Sequence, residues 1–308
     1  IIRGSWGICG TERFRWASGT SPKGYGTNLQ TIPKQFRHCF LPPPGMVFGQ
    51  PDLSQAEARE VAYLSACVGL IELFDDPKRS VHMENAQRIF GHPVEKDSPE
   101  YVLAKAVVHA GNYRLGPFKF MQLTGIPVSE AKRLLEMYHK LYPEIRQWHQ
   151  SVMRSLESSG QLINPFGDRR FFYEAISCRS VTGKITDQQW KDAISWVPQS
   201  TVPGIINRGM LHLREELDYL RFHHQGHDSM LVSFPPDRMI EVAEAMKRVL
   251  EVPLRIGSRM LVIPAEFAVG WNWGDMQPYK GKLITRDQWE QWRLPIVAQR
   301  RKKVLHGI

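Results

Sequence analysis

A chain of 308 residues is long enough for one large domain or two ordinary ones, and a 42% hydrophobic share is enough for a packed core, so disorder is not the default. The 40 Lys and Arg against 31 Asp and Glu leave a formal charge of +9, which favours a polyanionic partner such as nucleic acid. Four scattered cysteines (Cys9, Cys39, Cys67, Cys178) form no Cys-x-x-Cys pair, which speaks against a disulfide framework or zinc ribbon and for free thiols in a reducing compartment. No apolar run nears about 20 residues and no signal-peptide pattern is visible, so a soluble protein with no membrane association is expected. The first residue is Ile1 rather than Met, which suggests a fragment or a trimmed chain.

Residues 1–34 are rich in Gly, Ser, Thr, Arg and Lys and favour turns and extended backbone. They read either as a surface loop or as a basic arm on a phosphate backbone, with Arg13, Arg15 and Lys23 as donors and Trp16 available for stacking. Residues 38–52 read as a strand following the turn Pro42-Pro43-Pro44-Gly45, and it delivers Asp52 at its carboxyl end. Pro51 cannot donate to a ladder, so the strand should be irregular just before Asp52. Ala, Val and Leu at helical spacing predict a helix over 55–67 that presents Gln55, Glu57 and Arg59. Asp52 is read as half of a two-carboxylate metal site.

Ser98 as N-cap and Pro99 at the first helical position open another helix, with Val102, Leu103, Ala106 and Val107 as its apolar stripe. Tyr101, Lys105, His109 and Tyr113 recur every four residues, which puts an ammonium, an imidazole and a phenol in a row on one face. Alone, the lysine reads as a solvated charge and the histidine as a packed ring, but together they are more informative. A long helical pattern runs from a Ser129 cap, breaks near Pro143 and resumes with Ile145, Trp148, Val152 and Leu156 as core. Turns at Gly160 and over Asn164 to Asp168 precede a short strand, Phe171 to Tyr173. A helix from about Asp187 to Leu217 should be interrupted or reshaped around Pro198 and Pro203.

Leu220 to Phe222 and Met230 to Phe234 flank His223-His224-Gln225-Gly226-His227-Asp228-Ser229, a hairpin pattern with a polar tip. No second His/Cys cluster at zinc-finger spacing accompanies the histidines, so Asp228 is the better candidate ligand, able to face a carboxylate at a neighbouring strand end. An amphipathic helix over 237–251 and a last strand from Leu261 to about Gly270 complete the pattern. Beyond Lys280 the chain is basic, with Arg300-Arg301-Lys302-Lys303, and reads as a solvated or frayed terminus more than as a nucleic-acid arm.

With Asp52, the lysine helix and Asp228 in view, the chain resembles the polymerase part of family A DNA polymerases, the DNA polymerase I family, especially its phage branch, over roughly residues 11–275. Asp52-Leu53-Ser54-Gln55-Ala56-Glu57-Ala58-Arg59 resembles motif A, Lys105 to Tyr113 motif B, and Gln225-Gly226-His227-Asp228-Ser229 motif C. The resemblance implies that Asp52 and Asp228 hold two Mg²⁺ ions. It implies that Gln55 orders the site and that Glu57 is the steric gate against a ribose 2′-hydroxyl. Lys105 would neutralise the triphosphate and could protonate the leaving pyrophosphate, and Tyr113 would stack at the nascent base pair. His82 matches a phosphate contact, His109 faces the nucleotide sugar where Phe or Tyr is usual, and Tyr101 replaces an arginine. His227 would lie near the primer terminus, Arg15 matches a minor-groove arginine, and Gln199 in Pro198-Gln199-Ser200-Thr201 a template contact. Ser229 stands where bacterial members have glutamate, and its His-Asp-Ser form is shared with single-subunit phage RNA polymerases.

The implied fold is α+β. A palm with an antiparallel sheet would comprise residues 1–65 and 187–278, inserted helical fingers 66–186, and a basic tail 279–308. The implied partners are primer-template DNA and deoxynucleoside triphosphates, in the cytoplasm, of a host cell if the chain is phage-encoded. A thumb and 3′–5′ exonuclease have no sequence here, so a missing segment or protein partner would supply the thumb.

Overall fold

A computed structural model describes the backbone of residues 4–305 and their side chains except those of 178–182 and 301–305. Cys178 and the run Arg301-Lys302-Lys303 therefore lie outside the described side chains. The architecture is α+β. A short hairpin of β1 (Ser5–Gly7) and β2 (Ala17–Gly19) opens the chain. Residues Lys34–Cys39 then form a 3-10 helix, so the strand expected from 38 begins only at Val47, after the proline turn. That strand, β3 (Val47–Leu53), leads into α1 (Ala56–Leu64), followed by α2 (Val68–Asp75) and α3 (Val81–Phe90).

Helix α4 (Pro99–Asn112) starts as its cap residues dictate: Ser98 Oγ accepts from the Tyr101 amide at 3.2 Å, and Pro99 occupies the first turn. Its buried face is rotated from the expected stripe. Tyr101, Ala104, Val107 and Val108 are buried, whereas Val102 is 58% exposed, because the helices packed on α4 decide which stripe is inside. Next come α5 (Pro117–Thr124), α6 (Val128–Leu141) and α7 (Pro143–Ser159). Helix α6 is preceded by Pro127 rather than capped by Ser129, and no side-chain cap bond forms there. Gly160, at φ 64°, ends α7 in the left-handed region that favours glycine.

The hairpin β4 (Gln161–Ile163) and β5 (Arg169–Phe171) stops short of the expected Tyr173, which instead opens α8 (Tyr173–Thr182). Helix α9 (Asp187–Glu216) passes unbroken through Pro198 and Pro203. Most residues around those prolines are buried, so packing offsets the lost backbone bonds. Strands β6 (Arg221–Gln225) and β7 (Met230–Phe234) form the expected hairpin, and α10 (Met239–Leu250) buries Met239, Val242, Met246 and Val249 at helical spacing. A small hairpin, β8 (Leu254–Ile256) and β9 (Arg259–Leu261), precedes β10 (Ala265–Gly270) and β11 (Gln277–Pro278). Where a frayed tail is expected, α11 (Arg286–Leu305) forms. Its Trp289 is 2% exposed and donates to Asp275 O at 2.6 Å, while Arg300 donates to the buried Asp275 carboxylate, also at 2.6 Å.

The chain divides into two compact units. The first comprises residues 1–54, 202–252 and 262–308, and the second 55–201 and 253–261, so one boundary falls within α9. The first unit is built on a five-stranded sheet of order β11-β10-β3-β7-β6, antiparallel throughout. Gly49 lies where a Cβ would come within 2.6 Å of the Phe234 ring and 2.7 Å of the Phe267 ring, so no larger residue fits there. The second unit is helical around a core that includes Leu70, Ala104, Val107, Leu134 and Tyr138. Among the described residues no helix is long and apolar enough to cross a membrane.

Candidate active site

In the first unit, the register of the sheet puts the two sequence-predicted aspartates side by side. Strand β3 pairs with β10 from Phe48 to Leu53 without a break, including Pro51 opposite Phe267. On its other edge β3 ladders with β7 from Val47 to Gly49, and the pairing reappears only as the bridge between Asp52 and Ser229. The gap at Gln50 and Pro51 is the expected irregularity, confined to one edge. Beyond it, the Leu53 amide donates to Asp228 O at 2.9 Å and the Ser54 amide to Pro264 O at 2.8 Å. Asp52 and Asp228 thus stand on neighbouring strand ends, both open to solvent.

Glu266 lies directly across from Asp52 on β10. Like charges in that relation repel. The Asp52 carboxyl is pushed up to about 6 by burial first, then by Asp228 and Glu266, with Lys34 opposing. Because the side chain remains solvent-accessible, this describes a crowded rim rather than a sealed pocket. Excess negative charge of this kind fits a cation. Among the described residues no group of three or more His, Cys, Asp or Glu makes a complete metal cage. An open pair of carboxylates is what Mg²⁺ uses when water and phosphate oxygens fill its other positions.

The tip of the β6–β7 hairpin is tight: the Gly226 amide donates to Ser229 O at 2.7 Å, and a Cβ on Gly226 would stand 2.5 Å from Ser229 Oγ. His227 is exposed on it. The N-terminal arm is tied to the same hairpin through Gln30, whose Nε2 donates to Trp16 O at 2.9 Å and Gln225 O at 3.0 Å. Trp6 packs edge-on to both Trp16 and His224. Arg15 therefore belongs to an ordered arm, its amide held by Thr11 Oγ1 at 3.1 Å.

The second unit carries the remaining candidates except those of the arm and hairpin. Gln55 precedes α1 in the left-handed region, at φ 51°, and its buried Oε1 has no hydrogen-bond partner. A strained, underpaired residue of this kind is common at functional sites. Glu57 follows in the first turn, and the Tyr113 hydroxyl donates to its Oε2 at 2.5 Å. That bond links α1 to the C-cap of α4. On α4, Lys105 and His109 are exposed, and the His109 and Tyr113 ring centroids are 5.1 Å apart, so the row read from the four-residue spacing exists. His82 on α3 is pushed down to about 4, by burial and then by the Lys105 charge. Gln199 lies half-buried on α9, and its neighbour Ser200 accepts from Asn164 Nδ2 at 3.3 Å, tying the turn before β5 to that helix.

Residues 24–275 match the model of DNA polymerase family A. The chain belongs to that family. Its relatives include the thermostable DNA polymerase I of Thermus aquaticus, 27% identical over 79% of this chain and 29% of the relative, and the DNA polymerase of Mycobacterium phage D29, 28% identical over 69% and 33%. This family A chain thus spans only about a third or less of the curated relatives it matches. It shares its fold with the polymerase domain of Pol1 from M. smegmatis, solved in complex with DNA primer-template and dNTP. The TM-score is 0.75 at 23% identity, over 89% of this chain and 48% of that one.

Two residues that touch the candidate residues escape the motifs. Glu266 has no motif of its own, and only strand register puts it opposite Asp52. Gln30 lies in the turn-rich N-terminal stretch, yet its clamp on Gln225 joins positions 195 residues apart. A polar residue in an otherwise turn-rich stretch was the available signal for Gln30, and for Glu266 there was none.

Proposed function

We propose that this family A chain carries the catalytic part of a template-directed DNA polymerase, adding deoxynucleotides to a primer 3′-hydroxyl. The observation that carries the reading is the placing of Asp52 beside Asp228, with Asp52 bridged to Ser229 and the Leu53 amide donating to Asp228 O. Phosphoryl transfer demands positioning and charge neutralisation more than covalent chemistry from the protein. Mg²⁺, two ions in this reading, would be held by Asp52 and Asp228 and would supply Lewis-acid stabilisation of the attacking and leaving oxygens.

The chain's own side chains do the rest. Lys105 offers an ammonium to the triphosphate and can return a proton to the departing pyrophosphate. His82, neutral at physiological pH, offers a ring nitrogen to the same phosphates without adding charge. Glu57 fills the space a ribose 2′-hydroxyl needs, and the Tyr113 hydroxyl fixes the carboxylate in that post while its ring offers a stacking face. Gln55 orders the site and His109 packs on the sugar side. Arg15, Gln199 and His227 contact the primer-template, and the +9 charge supports that partner.

A primer-extension assay with and without Mg²⁺ tests the proposal. Extension should need the cation, and Asp52→Ala or Asp228→Ala should abolish it while leaving primer-template binding nearly intact. Normal extension by either variant would overturn the assignment. Binding without extension in the unmutated chain would instead mark a catalytically silent DNA-binding remnant. Deoxynucleotides should be strongly preferred, and Glu57→Ala should relax that preference. A ribonucleotide preference in the unmutated chain would point to an RNA polymerase.

A further inference from the structure

Tyr101 has no charge to offer a phosphate, yet it sits where the resemblance leads one to expect an arginine. Its surroundings say what it does instead. The ring is 6% exposed, on the first turn of α4, and its backbone amide is fixed by the Ser98 cap. One turn later the Lys105 Nζ stands 5.2 Å from the ring centroid, in the range of a cation–π contact. From α3, the His82 ring meets Tyr101 edge-on, with centroids 6.2 Å apart and planes at 86°. His82 Nδ1 is buried with no hydrogen-bond partner. One aromatic ring thus touches both side chains proposed to meet the triphosphate.

We infer that Tyr101 is a positioning residue of the triphosphate subsite, its ring holding the Lys105 ammonium and the His82 imidazole in one arrangement before a nucleotide arrives. This rests on the polymerase reading above and deepens it. Lysine carries its charge on a flexible four-carbon stem, and immobilising that stem costs binding energy. An ammonium already held over a ring forfeits less on meeting a polyphosphate. The low His82 pKa is consistent with the same arrangement, because a neutral imidazole can stand near the ammonium without repulsion. Tyr101 acts only through its neighbours, so its loss should weaken nucleotide binding rather than slow the chemical step.

The decisive measurement is the deoxynucleoside triphosphate Kd of the protein bound to a dideoxy-terminated primer-template, where no chemistry can follow. Tyr101→Leu should raise Kd about two- to fivefold, the range for an exposed cation–π contact. Tyr101→Phe, which keeps the ring, should match the unmutated chain. With an extendable primer the leucine variant should raise KM by the same factor and leave kcat within about twofold. In a Lys105→Gln background, Tyr101→Leu should add little further loss. An unchanged Kd in Tyr101→Leu overturns the inference. So does a phenylalanine variant as weak as leucine, which would assign the effect to the hydroxyl, or an undiminished loss in the Lys105→Gln background, which would make it merely structural. Tyr101→Met fills similar volume without a ring and replaces leucine if melting curves show that variant unfolded. Absence of nucleotide binding and extension in the unmutated chain would instead sink the polymerase reading itself.

Discussion

At the end of β3, Asp52 keeps a solvent-accessible side chain beside Asp228 and Glu266, and burial first, then those two carboxylates, push its carboxyl up to about 6. Shortly after it in sequence, Glu60 on α1 is fully buried, and neither of its oxygens has a hydrogen-bond partner of good geometry. Burial holds its carboxyl well above the usual range, Glu57 adds to the shift, and the neighbouring Thr201 hydroxyl opposes it. The difference lies in where relief can come from. A crowded, open carboxylate can be satisfied by a cation arriving from solvent, whereas a sealed one without a basic neighbour resolves its cost by keeping its proton. The first environment suits a catalytic rim, and the second makes stability depend on pH.

The rim is the more easily disrupted of the two environments. Asp228→Asn should cut extension on the order of a thousandfold, since ion-held charge stabilisation is worth several kcal/mol. It should also release Asp52 from repulsion. In the unmutated chain the Asp52 carboxyl ionises as pH rises through about 6, so cation affinity should climb across that window. In the variant the midpoint should move down toward the ordinary 3.8, read from the Asp52 carboxyl carbon by NMR. An unmoved midpoint would leave burial and Glu266 responsible.

The buried acid makes the next largest prediction. A raised folded-state pKa means that the stability associated with protonated Glu60 is complete below its ordinary 4.5 and is lost as pH rises toward the folded value. Glu60→Leu should therefore raise stability at alkaline pH by about 1–3 kcal/mol, the desolvation cost of an unsatisfied buried polar group, and flatten that part of the pH profile. Denaturant melts at pH 6 and pH 9 would show it, and a parallel loss in both proteins would refute it.

The smallest effect belongs to Gln55, which opens α1. Gln55→Gly relieves a left-handed residue at a cost in unfolded-chain entropy, so stability should stay within about 1 kcal/mol of the unmutated chain. Extension should nonetheless slow. A variant that is both destabilised by more than that and fully active would mean the strain serves folding alone.

How much of this was legible depended on whether the signal was local. Ser98, Pro99 and Gly160 specify helix ends through their own backbone chemistry, and they fall where the sequence puts them. Asp52 and Asp228 could be nominated because strand and hairpin patterns deliver them at chain reversals, and the register then brings the strand ends together. Glu266 could not, since only the finished pairing of β3 with β10 makes it a neighbour. The buried stripe of α4, the continuity of α9 through two prolines and the docking of α11 on Asp275 were hidden for a related reason. Each is settled by packing partners distant in sequence. Tyr101 was visible as a departure, but what replaces its missing charge emerges only once α3 is set beside α4.

Because Pro51 contributes no amide and the β3–β7 ladder lapses beside it, the hydrogen bond from the Leu53 amide to Asp228 O, with the Asp52–Ser229 bridge beside it, is where the carboxyl end of β3 rejoins the hairpin tip. Its proton can exchange with solvent only when the hairpin tip parts from that strand end. Deuterium uptake at this one amide is therefore a clock for how often the two aspartates separate, and cation binding should slow it while the amides of β10 keep their own pace.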